Sequence, residues 1–343
     1  MPKIAGYAVG SKFGQERGGN VMLGLRTVGP DGASYNGFRW PLEVGAEVEA
    51  LDWTPKPVCR GLHFLPWGEG DGGLLDWGDD AKGLVIEPLG EVVDLGGKSK
   101  CGRARVIFVG TLREAAQYIY ENGGRGRAIC GVTATVGYDG TATAGDHGTA
   151  TAGDYGTATV GYDGTATAGD DGTATAGDYG TATVGYRGTA TVGYYGTATA
   201  GDHGAATVGY DGTATAGDYG TATAGDYGTA TAGGRGTATV GYRGTATVGY
   251  YGTATVGYRG TATAGDRGTA TAGDYGTATV GCDGTATVGY RGALVIAWGD
   301  GSRGRLAVGY IGETTDAGGE VLMAWQPYHL DSLGQFVKEV TAV

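Results

Sequence analysis

Residues 180–203 read Gly-Thr-Ala-Thr-Val-Gly-Tyr-Arg, Gly-Thr-Ala-Thr-Val-Gly-Tyr-Tyr, Gly-Thr-Ala-Thr-Ala-Gly-Asp-His. The same eight-residue unit runs from Val132 to Arg291, 20 times without insertion or deletion. Its third residue is always Ala, its fourth always Thr and its sixth always Gly. The opening Gly is missing only at Val132, and the first Thr only at Ala205. Self-similarity at a short fixed period is the mark of a solenoid.

Within each unit the polarity alternates with a period of two, as it does in a half-buried strand. Threonine and valine favour strands, and two glycines per unit would cost a helix about 2 kcal/mol. The Gly-(Asp/Tyr)-x-Gly step is turn chemistry, in which glycine is expected to supply positive φ. Each octad therefore reads as one short strand and one corner, with Ala inward and Thr outward. The reverse orientation would bury two hydroxyls per octad without partners.

Inward positions hold only Ala and Val, which fill the thin gap between two sheets. They would leave a void inside a wide triangular coil, and protein interiors are close-packed. This predicts a mainly β chain: a two-sided parallel β-solenoid of about 16 residues per coil and ten coils, roughly 50 Å long. A 24-residue triangular coil is the alternative. It draws on one pattern: apart from Gly234 and Cys282, Ala at position five goes with Asp at seven and Val with Tyr, and Tyr138, Tyr162, Tyr186 and Tyr210 recur at every third octad. A three-octad duplication explains that pattern without a triangle.

The flanks are different material, so we divide the chain into 1–125, 126–299 and 300–343. The first segment holds four of the six tryptophans. It reads as a small α+β capping domain with strands in 82–96 and 103–110 and a helix after Thr111. The last is expected to form a β cap, since after Gly292 the pattern decays and large side chains return at Trp298, Trp325 and Phe336. Terminal repeats of a solenoid must hide an open sheet edge.

The composition narrows the function. Glycine is 75 of 343 residues and the formal charge is -12. An acidic surface makes direct nucleic-acid binding and anionic membranes poor expectations. No apolar run is long enough to span a membrane, and the first residues lack a signal-peptide core. Four scattered cysteines without metal spacing suggest free thiols, hence a cytoplasmic setting, with virion association as the alternative.

Two surfaces are candidates for binding. Outward Thr-x-Thr pairs, about 6.7 Å apart along a strand and about 4.8 Å between rungs, would make a regular grid. The pairs singled out are Thr181 and Thr183, Thr197 and Thr199, Thr213 and Thr215, Thr229 and Thr231, and Thr245 and Thr247. Corner tyrosines, Tyr186, Tyr194, Tyr210, Tyr242, Tyr250 and Tyr258, can stack into ladders that offer an aromatic strip. The corner aspartates, such as Asp146, Asp154, Asp170 and Asp178, supply too few oxygens for calcium and are read as solvated. No cofactor or metal is expected. His147 and His203, seven octads apart, should fall on opposite sides.

The octads resemble the repeats of bacterial ice-nucleation proteins, through runs such as Thr189-Ala190-Thr191 and Val192-Gly193-Tyr194. The match covers about half of the chain. This array is shorter, and the regular alternation of two octad types is missing. The resemblance implies the paired-octad coil and, as a second function, ice binding or ice nucleation. The layout around 59–64 followed by short repeats also resembles uncharacterised phage and bacterial proteins. Cys59, His63, Glu69 and Asp71 group in sequence, and an Arg-Gly step near His63 and Phe64 is similar to ADP-ribosyltransferases, a further alternative. Outside that alternative Cys59 reads as a buried thiol and His63 as a core histidine. An acidic DNA mimic is the last alternative. The leading expectation is a non-catalytic solenoid presenting a regular Thr/Tyr/Asp surface to a protein partner or to its own copies.

Overall fold

A computed structural model describes residues 21–34, 37–299, 304–313 and 321–338. Its centre is a two-sided parallel β-solenoid in which two octads close each coil. Twenty strands, β6 (Thr133–Thr135) through β25 (Thr285–Val288), alternate between two sheets. Even-numbered strands form the first sheet and odd-numbered ones the second. Each pairs in perfect register with the strand two octads on, as Thr197 does with Thr213 and Thr199 with Thr215. The triangular alternative needs partners three octads apart, and this pairing excludes it.

The inward side chains are the alanines at position three, with no exposed surface beyond 1 %, and the Ala or Val at position five. The latter are exposed by 4 % or less, except Val136 in the first octad, which is half-buried. Two sheets this close leave no room for larger groups. The outward threonines are exposed or half-buried on every rung.

The corners depart from the expectation about glycine. No glycine between 132 and 291 has positive φ. The left-handed residue is instead position eight, with φ between 49° and 62° in all 20 corners, although it is Asp, His, Tyr or Arg. The turn closes from the position-one amide to the position-six carbonyl, as Gly180 N to Gly177 O at 3.2 Å. Positive φ at the third turn residue is the type II pattern. The glycines are needed for room. A Cβ on Gly201 would lie 2.9 Å from the carbonyl carbon of Gly185 one coil earlier, and a Cβ on Gly180 would lie 2.7 Å from the Ala176 Cβ of its own coil.

Residues 24–110 form antiparallel strands β1 (Gly24–Val28), β2 (Glu47–Glu49), β3 (Leu62–Pro66), β4 (Lys82–Asp94) and β5 (Ser99–Gly110). The order β5-β3-β1-β4 closes through a β4–β5 pairing, so the sheet curls into a small barrel. The first segment is thus mostly β. Its α-helix, α1 (Leu112–Ile119), is capped by Thr111 in a reciprocal capping box with Glu114. The barrel interior collects Trp40, Leu62, Phe64, Leu84 and Ile86. A second core runs from Leu25, Leu65 and Ile119 through Ile129 and Val132 down the whole stack of alanines to Leu294, Leu322 and Tyr328.

Both ends of the stack are covered. At the start, Gly72 N donates to the Asp146 carboxylate at 3.1 Å, and the Trp77 ring lies 4.2 Å from that of His147. At the far end β26 (Ala293–Gly299) continues the first sheet and pairs antiparallel with β27 (Gly304–Tyr310). The pair β28 (Tyr328–Leu330) and β29 (Phe336–Lys338) closes the second. Antiparallel caps end a parallel stack without leaving its edge free.

The coil length is checked by deletion. Excising 212–227, two octads, keeps every later strand on its own sheet, and cooperative thermal unfolding should persist. Excising 212–219 alone exchanges the sheets beyond that point and mis-sets the C-terminal cap. That protein should lose its cooperative transition. A second check concerns the thiols. Burial pushes the Cys101 and Cys130 thiols up to about 12, so neither forms thiolate near neutral pH. Alkylation of the native protein at pH 8, followed by mass spectrometry, should modify exposed Cys59 and partly exposed Cys282 and spare the other two.

Candidate functional site

The ten threonines of the predicted grid lie on one sheet. They occupy five consecutive rungs, β12 (Thr181–Val184), β14 (Thr197–Ala200), β16 (Thr213–Ala216), β18 (Thr229–Ala232) and β20 (Thr245–Val248). That face carries the Thr pair on all ten repeat rungs. The opposite sheet has Ala205 between Thr189 and Thr221, which breaks the column.

The predicted tyrosines divide between two edges. Tyr186 and Tyr250 belong to the first edge, where the chain leaves the first sheet. Tyr194, Tyr210, Tyr242 and Tyr258 belong to the second edge, where it leaves the second sheet. The aromatic column missed by reading position seven alone combines positions seven and eight. On the second edge it runs His147, Tyr162, Tyr179, Tyr195, Tyr210, Tyr227, Tyr242, Tyr258, Tyr275 and Tyr290. One ring stands in each of ten corners, with neighbouring centroids 5.0 to 6.4 Å apart. Trp77 of the first domain extends the column at its start. Tyr194 lies beside this column, its ring against Gly209.

The first edge differs. Asp170 and Asp171 interrupt its rings. Further along, Arg235 lies 5.5 Å from the Tyr219 ring and 5.4 Å from the Tyr251 ring. Arg235 and Arg267 donate to the Tyr219 and Tyr251 hydroxyls, each at 2.7 Å. The adjacent Tyr250 hydroxyl, and then Arg267, hold the Tyr251 phenol below its ordinary pKa. His147 and His203 fall on opposite edges, as their spacing requires.

The corner aspartates are not simply solvated. All nine at position seven turn Oδ1 toward the next coil, where it accepts from the amide one coil on, at 2.7 to 3.0 Å. They are side-chain rungs of the backbone ladder. Charge is uneven along the stack: octads 132–211 hold nine aspartates and one arginine, while octads 212–291 hold five of each.

In the first domain the grouped residues serve separate ends. Glu69 pairs with Arg127 at 2.7 Å. Asp71 caps the short turn Gly72–Leu74 through the Gly73 amide. His63 is partly buried on β3, and Cys59 is exposed rather than buried. Among the described residues no three His, Cys, Asp or Glu side chains cluster to hold a metal ion. No described helix is long and apolar enough to cross a membrane. No family model, no curated protein and no solved structure matches this chain.

The aspartate rungs generate a stability prediction. Asp178→Ala removes the acceptor of the Tyr194 amide and should lower unfolding stability by about 1 kcal/mol, whereas Asp178→Asn keeps an oxygen there and should lower it less. Urea titration of the three proteins reads the difference.

Proposed function

We propose that the protein is a non-catalytic solenoid whose second edge is a docking strip for a macromolecular partner. The observation that supports this most is the unbroken aromatic column. Corner filling alone would place rings equally on both edges, yet the first edge is interrupted and the second has a ring in every corner. Its nine tyrosines expose 36 % to 55 % of their surface, so each ring supports its neighbours and still presents an edge and a hydroxyl. Aromatic rings with a polar tip are the side chains that interfaces favour, and solenoids bind through extended surfaces. Over ten coils the strip is roughly 50 Å long.

A photo-crosslinking residue placed at Tyr195, on the strip, should capture a discrete partner in extracts of the source cell. The same residue at Thr215, on the flat face, should not. Capture only from Thr215, or from both alike, contradicts the docking strip.

A second reading is ice binding or ice nucleation by the first sheet, supported by its uninterrupted threonine grid and by the resemblance of the octads. A bulky residue at the centre of the grid breaks its fit to a lattice, while an exposed change usually costs within about 0.5 kcal/mol of stability. Under this reading wild-type protein shapes ice or raises the freezing temperature of droplets, Thr215→Tyr abolishes the effect, and Thr223→Tyr on the interrupted face matters less. Wild-type protein inactive in both assays removes the ice reading.

A further inference from the structure

Strands β1 and β3 of the barrel pair only at Gly24 with Pro66 and Leu25 with Leu65, and then part. A cleft of about 1300 Å³ opens there, lined by Arg26, Trp40, Leu62, His63, Phe64 and Lys98 among others. Arg26 lies in the parting. One Nη donates to the His63 carbonyl at 3.0 Å, and the guanidinium stacks 4.0 Å over the Trp40 ring. Its Nε is buried without a hydrogen-bond partner, as is His63 Nε2. Among the described residues no carboxylate pairs with Arg26.

A buried guanidinium without a counter-charge is costly, and structures normally satisfy one with a carboxylate or phosphate. Desolvation pulls the Arg26 pKa down to about 9, the direction of an uncompensated cation. The other charges near His63 point the same way. Burial, then Lys98, Arg26 and Lys100, depress its pKa, and Asp52 opposes them. The walls beyond the two nitrogens are largely apolar: Val28, Phe38, Trp40, Leu62 and Phe64. The contrast with Lys100 is informative. That buried ammonium is fully satisfied by the carbonyls of Thr54, Lys56, Val58 and Arg60, at 2.6 to 3.0 Å. The domain thus satisfies one buried cation internally and leaves another, at the wall of a cleft, without a counter-charge.

We infer that the cleft between β1 and β3 binds a small organic anion, a carboxylate or phosphate on an apolar or aromatic body, with the charge on Arg26 and His63 Nε2–H as a second donor. The site is independent of the solenoid edge.

Isothermal titration of the full-length protein tests this with phenyl phosphate, benzoate and, as the neutral control, benzyl alcohol. The expected result is saturable binding of one anion per chain with a Kd of about 1 mM or tighter, and none of benzyl alcohol. Phenyl phosphate and benzoate compared side by side tell a phosphate from a carboxylate ligand. Arg26→Met should weaken binding at least about tenfold, the loss of one charged hydrogen bond. If that variant does not fold, His63→Leu carries the test, with weaker binding expected. Absence of anion binding to the wild type overturns the inference, and so does binding unchanged in the variants.

Discussion

The solenoid depends on how closely one corner approaches the next. Two sheets separated only by Ala and Val side chains leave a corner of two residues between position-six and position-one glycines. In 18 corners the position-eight amide donates to the position-seven carbonyl of the following coil, at 2.7 to 3.0 Å. That bond holds only if position eight takes the left-handed conformation and if no Cβ stands at position six. A non-glycine residue in that conformation costs on the order of 1 kcal/mol. The inter-coil bond and the stacking of its side chain on the next coil offset this. The regularity of the repeat follows from that one geometry: glycine where backbones nearly touch, a side chain where the turn faces out.

The same geometry explains why the edges can carry a function and the core cannot vary. Positions three and five have no room for a larger group, so the interior is nearly uniform. Positions seven and eight face out and hold Asp, Tyr, Arg, His, Gly or Cys. Aspartate at seven adds a bond to the next coil, and an aromatic ring at either position can join a column. Because both positions reach the same strip, the second edge keeps a ring in every coil while its aspartates still tie coils together. Asp178 beside Tyr179 and Asp226 beside Tyr227 show the two roles side by side.

Much of this architecture is legible in the octad. The alternation of Thr and Ala dictates strands with Ala inside, and the small interior dictates two sheets rather than three. The threonine face and the interruption at Ala205 then follow by counting in pairs of octads. The corner misleads, because turn preferences assign positive φ to glycine. In this stack the position-six glycine is chosen for inter-coil clearance, a property of neighbours one full coil apart that no local rule expresses. Position seven read alone reveals only half of the aromatic column, although rows of paired octads show Tyr or His at seven or eight in every second-edge corner. The barrel closure depends on the pairing of β4 with β5, and the burial of Arg26 on contacts between β1 and β3, to which sequence patterns are blind.

Hydrogen exchange resolved to single amides tests the corner coupling most directly. Exposed loop amides ordinarily exchange fast, while amides held in a cooperative ladder exchange only through larger openings. The account predicts that position-eight amides, such as those of Tyr179, Tyr195 and Arg243, exchange as slowly as the neighbouring strand amides of Thr181, Thr197 and Thr245. Corner amides that exchange at the rate of an open loop, while the strands stay protected, would contradict it.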